Sequence, residues 1–560
     1  MNFRKLSSNV TFGTHFININ QIRTMTKKNF LPTNPLRKKS IYLTATFFLT
    51  PILTHFVMSG GTVKNALVFA VITSVFAAAL VILCINDKKN IRGAVTVATI
   101  LIAAFISSLS VYTLGYRNAF RLAGYAGDES HSFCGYITGE DADTSSSMFV
   151  EIISVNGKSL YPSVVAQGYN HSGHYMPCGT YIEFEAKLEL AENRNSEFNE
   201  WLKSKNVHTV LSGINGLSLD SSKDKLSIAS VVKDFFSDRM VYVFKTVPDR
   251  KSFENVHSVA DAMMFGDKSK LDGDLKTHFS KSGIIHILCV SGLHFSVMLG
   301  GLSLVLKYTV KKRKARCFII VAAGLFYLFV CGFTRSAVRA AVMALIGAIS
   351  VSGAKRSYCT YALLFSVCVI CIADPSAVFD SGFRMSCVCC TGILCAAHFS
   401  EMLAKRLAYR PVLSYVISSF LVSLSASAFL FPYSLCAFGG ASSVSVIASS
   451  IAVLPAQIFL VLCWIAAIAS FAGVGFLNFV SAEILSNICN LICNIAKFFS
   501  ELEFSYIEYE MPDISFLVFI IILGGATIAS FSKHRAVSVY IYTVSASVLA
   551  TAVLLVTSIG

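Results

Sequence analysis

Apolar residues in this chain form long blocks separated by short polar connections. Three blocks cover residues 41–58, 63–85 and 94–112, and about ten more lie between residues 284 and 560. Blocks of about 18 to 25 residues are long enough to cross a hydrocarbon core about 30 Å thick at 1.5 Å per residue. The pattern therefore predicts a polytopic α-helical membrane protein with about 13 spans.

One polar segment, residues 117–226, interrupts these blocks after the third predicted span. It contains alternating apolar and polar runs, for example at residues 148–155 and 181–188, bounded by Gly, Ser and Asn. Such alternation between turn residues is typical of β-strands. About five runs in about a hundred residues predict a small closed β-barrel. Residues 228–247 then combine helical spacing with charges, which predicts an amphipathic helix lying on the membrane or packing on the barrel.

Composition and charge support the membrane assignment and give its sidedness. Only 14% of the 560 residues are charged and 54% are hydrophobic, whereas soluble domains have about 25% charged residues. The basic, acid-free first 40 residues indicate either a cytoplasmic tail or an organellar transit segment, with Met25 as an alternative start. Basic loops at alternate connections account for most of the net charge of +15 and predict that the β-segment lies outside the cytoplasm.

Two cysteines stand apart from the others. Of 17 cysteines, 15 lie in or beside apolar blocks, where a thiol behaves as a small hydrophobe. Cys134 and Cys178 lie in the β-segment, whose deduced compartment is oxidising. They predict a disulfide, with two unpaired core thiols as the alternative.

Polar side chains inside apolar blocks indicate function, because burying one without a partner costs several kcal/mol. The first such cluster contains His286, Ser291, Gly292 and His294 at the start of the fourth block. The two imidazoles share part of one helical face, and Gly292 permits a helix break or a close helix contact. The alternative is a pair of helix-end histidines bonded to the backbone.

The second cluster contains Arg335, Ser336 and Arg339. The two arginines are four residues apart, so they stack on one helical face and require anionic partners or water. Arg335 alone has the alternative of extending outward to the interface, but Arg339 is one turn deeper.

The third cluster contains Asp380, Arg384 and Ser386. Asp380 forms either an i, i+4 pair with Arg384 or a pair across helices with Arg339. In the second arrangement one positive charge remains to line a cavity.

The chain contains no phosphate-binding Gly-Lys-Ser/Thr loop and no His-Glu-x-x-His zinc motif. No catalytic triad is evident, although a Ser291 and His294 pair is conceivable for a membrane hydrolase. A small-solute or proton-coupled transporter using His286, His294 and Asp380 as a relay is the other alternative. No metal or cofactor site is predicted.

The three clusters, following a β-domain, resemble the ComEC family of competence proteins. Residues 286–294 are similar to its most recognisable stretch, residues 335–343 to its Ser-x-x-Arg-Ala-x-x-Met segment and residues 380–392 to its Asp-x-Gly-Phe-x-x-Ser segment. The resemblance covers roughly residues 60–530. Departures are Arg335 in place of proline, Arg384 in place of glutamine and Ser450 in place of asparagine, and the chain lacks the metallo-β-lactamase-like C-terminal domain of longer members.

The resemblance implies an inner-membrane channel that admits single-stranded DNA during natural transformation, without enzymatic activity of its own. Its partners are then single-stranded DNA, the lipid bilayer, and a competence machinery of DNA receptor, cytoplasmic motor helicase and separate nuclease. The β-segment becomes an OB-like barrel. The implied division is a basic tail (1–40), three spans (41–116), the OB-like domain (117–226), an interfacial helix (227–250), the competence channel domain (251–531) and a last span (532–560).

Overall fold

The computed structural model describes most of the chain between residues 46 and 531. The described residues are 46–55, 57–58, 91–140, 147–169, 178–191, 196–220, 223–225, 228–245, 250–268, 270–349, 356–406, 410–472, 475–508 and 514–531. The basic tail at 1–40, the second predicted span at 63–85 and the last one at 532–560 lie outside them.

Five β-strands close into a barrel. They are β1 (Ser130–Glu140), β2 (Ser147–Val155), β3 (Lys158–Tyr169), β4 (Tyr181–Leu190) and β5 (Thr209–Leu219). Their order around the barrel is β1-β2-β3-β5-β4, in which β3 and β5 are parallel neighbours. Alternate side chains fill a core that includes Phe133, Ile152 and Phe184. The strands predicted at residues 148–155 and 181–188 are confirmed as β2 and β4.

A two-residue turn connects β2 to β3. Asn156 and Gly157 have φ values of 48° and 75°. Two consecutive positive φ values match a type I′ turn, which Asn-Gly favours because its twist agrees with that of the flanking strands. The turn fixes the register of the hairpin, in which Val155 lies opposite Lys158.

The predicted disulfide between Cys134 and Cys178 is not formed in the structure, where both thiols are free. The amide of Gly179 donates to the carbonyl of Ile137, which places Cys178 beside the second half of β1. The Cys178 thiol donates to the carbonyl of Thr138 at 3.1 Å. Four strand residues, about 13 Å at 3.3 Å each, separate that position from Cys134. A disulfide requires Cα atoms within about 7 Å.

Most of the rest of the described chain is helical, apart from a two-stranded antiparallel sheet of Gly440–Ser442 and Tyr506–Glu508. The helices are α1 (residues 46–55), α2 (Ile91–Ala123), α3 (Ser196–Ser204), α4 (Ile228–Phe244), α5 (Arg250–Phe265), α6 (Gly273–Lys281), α7 (Gly292–Thr309), α8 (Arg313–Val330), α9 (Arg335–Ile349), α10 (Arg356–Ala373), α11 (Ser381–Arg406), α12 (Pro411–Phe438), α13 (Ser445–Ala469), α14 (Gly475–Ser500) and α15 (Ser515–Phe531). Among the described residues, three helical segments are long and apolar enough to cross a membrane, namely Val416–Phe438, Ser445–Ala469 and Asn478–Ser500. The chain is thus a membrane protein with a β-sheet domain.

Two apolar cores lie on either side of α9. The first includes residues of α5, α7, α8, α13 and α14, and the second includes residues of α10, α11, α12 and α15. Val338 of α9 packs against both cores. Side chains of α9 therefore reach the junction between the two groups of helices.

The amphipathic helix α4 packs on the helical part of the molecule. Phe236 contacts Trp464 of α13 edge to face, with ring centroids 5.4 Å apart, and Val243 and Phe244 belong to the first core. The helix therefore packs on other helices, whereas one of the two predictions placed it on the barrel. Ile228 and Val231 remain exposed on α4, which leaves the prediction of membrane contact open.

Helix α3 connects the barrel to the helical part. Trp201 and Leu202 of α3 form a small core with Phe149 of β2. The other side of α3 contacts the short 3-10 helix Pro375–Phe379 between α10 and α11. The barrel consequently lies against the segment that contains the third polar cluster.

Candidate functional site

The segment between residues 286 and 294 is not one continuous helix. A 3-10 turn, Ile285–Leu288, ends at an extended Cys289, and α7 begins at Gly292 with Ser291 as its N-cap. The Oγ atom of Ser291 accepts the amide N–H of His294 at 3.3 Å. A serine hydroxyl satisfies a first-turn amide that has no helical acceptor, which explains why α7 starts there.

The two histidines consequently have different surroundings, and the prediction of a shared helical face is wrong. His286 is exposed and its Nδ1–H donates to the carbonyl of Gly283 at 3.2 Å. His294 is only 3% exposed, and its Nδ1 atom has no hydrogen-bond partner in the described part of the chain. The backbone-bonded alternative thus fits His286 but not His294.

Arg335, the first residue of α9, is surrounded by acceptors. Its Nε atom donates to Oδ2 of Asp374 at 2.8 Å and its Nη1 atom to Oδ2 of Asp380 at 2.6 Å. Its Nη2 atom donates to the carbonyl of Ser204 at 2.7 Å and to Oγ of Ser376 at 2.9 Å. Two carboxylates therefore neutralise this guanidinium, and the carbonyl at the end of α3 ties it to the barrel domain.

Neither predicted partner of Asp380 is the one observed. Asp380 pairs with Arg335 instead of Arg384 or Arg339, and its Oδ1 atom accepts the amide of Phe383 at 2.8 Å. Asp380 is thus the N-cap of α11 as well as half of an ion pair. The first turn of α9 packs beside the first turn of α11, a tertiary contact that sequence spacing does not reveal.

Arg384 is a second tie between the two parts of the molecule. Its side chain is buried, and it donates to Oγ of Ser515 and to the carbonyl of Phe379, each at 2.9 Å. Oε2 of Glu200, on α3, lies 3.8 Å from its Nη2 atom.

Arg339 is buried without a carboxylate. It is 3% exposed, and it donates to Oγ of Ser386, to Sδ of Met343 at 3.4 Å and to Sγ of Cys390 at 2.7 Å. Among the residues that the structure describes, no acidic side chain forms an ion pair with it. Because a guanidinium stays charged in proteins, its charge is left uncompensated by protein groups there.

Arg339 and the start of α7 lie side by side. A Cβ atom on Gly292 would be 3.3 Å from both Nη2 of Arg339 and Cβ of Ala340. One turn earlier, Ser336 Oγ donates to the carbonyl of Val290 at 3.0 Å and fixes α9 against the segment that precedes α7. The structure therefore brings together Gly292 from the first cluster, Ser336 and Arg339 from the second and Ser386 from the third.

The sequence reading missed Asp374 and Ser376, both partners of Arg335. Asp374 lies at the end of an apolar block, where burying a charge is as costly as it is for Asp380, so the same argument applies to it. Pro375, the next residue, marks the end of α10.

A buried network between α4 and α5 was also missed. Ser237 of α4 donates to Asp261 of α5, and Asp261 also accepts a hydrogen bond from Lys270 at 2.8 Å. Burial lowers the pKa of His257 in this network.

Comparison with known proteins identifies the region that holds the site. The family model described as Competence protein matches residues 263–534. The chain is also similar to ComE operon protein 3 of Bacillus subtilis (strain 168), with 25% identity over 198 residues, which are 33% of this chain and 25% of that protein. The chain thus spans about a quarter of the length of this relative. No solved structure matches the chain.

Proposed function

Because residues 263–534 form a Competence-family domain of the ComEC type, we propose that this protein is a channel that passes single-stranded DNA into the cytoplasm during natural transformation. It lies in a bacterial inner membrane, crosses it about 13 times and hydrolyses neither ATP nor DNA. A DNA receptor, a motor helicase and a separate nuclease act with it. In this proposal the domain limits are those inferred from the sequence.

Arg339 is the observation that carries the proposal. A single strand brings one negative charge per nucleotide, so its path through a bilayer requires water and fixed positive charge. A buried ion without a counter-charge costs several kcal/mol, and a passing polyanion supplies that counter-charge. Arg339 lies inside the matched region and has only Ser386, Met343 and Cys390 as partners among the described residues.

In this proposal the three polar clusters divide into two roles. Arg335, Asp380 and Arg384 hold the barrel against the channel through the contacts described above. The path is lined by the remaining members, which are His286, Ser291, Gly292, His294, Ser336, Arg339 and Ser386.

The barrel is proposed to be an OB-type domain outside the cytoplasm. Five strands closed in the order β1-β2-β3-β5-β4 support this assignment. OB domains that grip single strands are normally basic with stacking aromatic residues, whereas residues 117–226 contain nine Lys or Arg and fourteen Asp or Glu. A role in positioning the channel therefore suits this barrel better than a high affinity for DNA.

Deletion of the gene followed by an internalisation assay tests the proposed function. Cells receive labelled double-stranded DNA, surface DNA is removed with nuclease, and the protected label is counted together with transformants. We expect surface binding to persist, protected label and transformants to be lost, and both to return with the wild-type gene in trans. Unchanged protection in the deletion strain would contradict the proposal.

The two rival functions draw less support from the contacts. A proton relay needs Asp380 to be available, but it bonds Arg335 and the amide of Phe383. A hydrolase needs the Ser291 hydroxyl at the His294 ring, but that hydroxyl accepts the His294 amide. Ser291→Ala tests the hydrolase, because the loss of a helix cap costs about 1 kcal/mol and should only weaken DNA uptake, whereas loss of a nucleophile abolishes all activity.

A further inference from the structure

The start of α7 is a helix end with unfilled hydrogen-bond donors inside the helical part of the molecule. Gly292 and Leu293 are its first two residues, so their amides have no acceptor in a preceding helical turn. Ser291 Oγ satisfies only the amide of His294. The positive end of the helix dipole lies at the same place. Because every helix has such an end, the neighbouring side chains decide whether it binds a ligand.

Arg339 brings an uncompensated positive charge to this helix end. Its Nη2 atom lies 3.3 Å from the position that a Cβ atom on Gly292 would occupy. Its guanidinium has five N–H groups. Nε and Nη2 each donate to Ser386, and Nη1 donates to Met343 and Cys390. One N–H group of Nη2 is therefore left without an acceptor among the described residues.

His294 adds a buried polar group at the same helix end. It is the third residue of α7, its side chain is 97% buried, and its Nδ1 atom has no partner in the described part of the chain. A buried polar atom without a partner costs about 1–3 kcal/mol. The same helix end thus combines free amides, a spare guanidinium N–H and an unpartnered ring nitrogen.

We propose that the first turn of α7, Arg339 and His294 bind one phosphodiester group of a single DNA strand, and we term this place the phosphate seat. The inference rests on the proposed function and names the contact that the strand makes. A phosphodiester is a tetrahedral monoanion with two free oxygens, which suits a guanidinium N–H on one oxygen and helix amides on the other. Gly292 lets the guanidinium of Arg339 approach the helix end closely, since a Cβ atom there would lie only 3.3 Å from Nη2.

DNA binding as a function of salt concentration tests the phosphate seat. The full chain in nanodiscs of neutral phosphatidylcholine is titrated against a fluorescent 20-nucleotide thymidine strand, and anisotropy gives Kd. Losing one buried charged contact in Arg339→Gln should raise Kd about a hundredfold. The slope of log K against log salt should flatten by about 0.7, the value for one phosphate of a single strand. A strand with uncharged methylphosphonate linkages should bind both proteins equally.

Two further variants separate the seat from general damage. Arg335→Gln, one turn earlier, should keep the wild-type slope because Asp374 and Asp380 already neutralise Arg335. Gly292→Ala keeps every charge but places a Cβ atom 3.3 Å from Arg339 Nη2, so it should push the guanidinium away from the helix end and flatten the slope as Arg339→Gln does. It decides the matter if Arg339→Gln does not fold. Wild-type slopes in both Gly292→Ala and Arg339→Gln would overturn the proposal.

Phospholipid headgroups are also phosphodiesters, so the titration is repeated with phosphatidylglycerol in the nanodiscs. Displacement of the strand from the wild type but not from Arg339→Gln would assign the seat to lipid and overturn the proposal. If slopes are unchanged while gene deletion abolishes uptake, the seat is wrong and the proposed function stands. If slopes flatten while deletion leaves uptake unchanged, the seat binds DNA and the proposed function is wrong.

Discussion

Arg335 and Arg339 lie one helical turn apart on α9, yet the groups around them differ in charge. Arg335 is half-buried and bonds Asp374, Asp380 and a carbonyl of the barrel domain. Arg339 is almost fully buried and bonds a hydroxyl and two sulfur atoms. The deeper arginine, whose burial costs more, is thus the one without a counter-charge.

This difference shows that the role of a buried charge has to be inferred from the groups that contact it. Arg335 is accounted for within the protein, because its contacts join three separate parts of the chain. Arg339 is not, and its charge requires something that the described chain does not supply. The same residue type on one helix is therefore structural at one turn and a candidate for ligand contact at the next.

The largest expected effect separates the two arginines in living cells. Arg339→Gln should lower DNA internalisation about a hundredfold, because removing one partner of a buried charge contact costs about 3 kcal/mol. Arg335→Gln, expressed at an equal level, should retain far more uptake. Nuclease-protected label measures both. Equal losses in the two variants, at equal protein levels, would break the distinction.

The free energy of unfolding should depend more on Arg335 than on Arg339, which is the opposite of the order expected for DNA uptake. Arg335→Ala leaves Asp374 and Asp380 without their cation and frees the carbonyl of Ser204. Breaking a fully buried pair costs about 3–5 kcal/mol, so about 2 kcal/mol is expected for Arg335, whose side chain is 19% exposed. Detergent titration of the purified protein gives the free energy of unfolding. Arg339→Gln should change it less, and a greater loss there would reverse the comparison.

Acid should weaken the attachment of α3 to the barrel. Burial, and then the charge of Lys203, lower the pKa of His208 to about 4, and its Nε2 atom has no hydrogen-bond partner among the residues that the structure describes. Because the folded-state pKa lies below the unfolded value of about 6.5, stability is full above pH 6.5 and falls as the pH drops towards 4, by about 2 kcal/mol. Fluorescence of Trp201 in a Trp464→Phe background measures this loss of stability as the pH falls. His208→Gln should remove the pH dependence, and its persistence would assign it to another group.

The smallest effect is expected at Glu200. Its carboxylate is 40% exposed and 3.8 Å from Arg384, and exposed pairs contribute about 0.2–1 kcal/mol. Glu200→Gln should therefore lower the unfolding free energy by no more than about 0.5 kcal/mol. The same detergent titration measures it. A loss as large as that of Arg335→Ala would show that Arg384 ties the barrel as strongly as Arg335 does.

The local features of this fold were predictable from the sequence, whereas the partners of charged residues were not. Period-two alternation located β2 and β4 because each strand has one face in the barrel core. The cost of burial pointed to Arg335 and Arg339. The acceptor of Arg335 at Ser204, however, is 131 residues away and reaches it only through the packing of α3 on the helical part.

The error at residues 286–294 has a local cause. Helical spacing was assumed through His286 and His294, but Ser291 caps a new helix and the segment before it is extended. A serine just before an apolar run is a helix-start signal, and Ser291 carries it in the sequence. The apolar block was instead treated as one continuous helix, although the length of a block does not show where its helix begins.

The barrel is fastened to the helices at two separate points. Leu122, the penultimate residue of α2, is buried in the barrel core, and the carbonyl of Ser204 at the end of α3 is bound by Arg335. Two separate attachments restrict rotation of the barrel relative to the helices, even where each contact is small. A variant that loses the Arg335 contact should therefore leave the barrel attached through α2 and through the remaining contacts of α3.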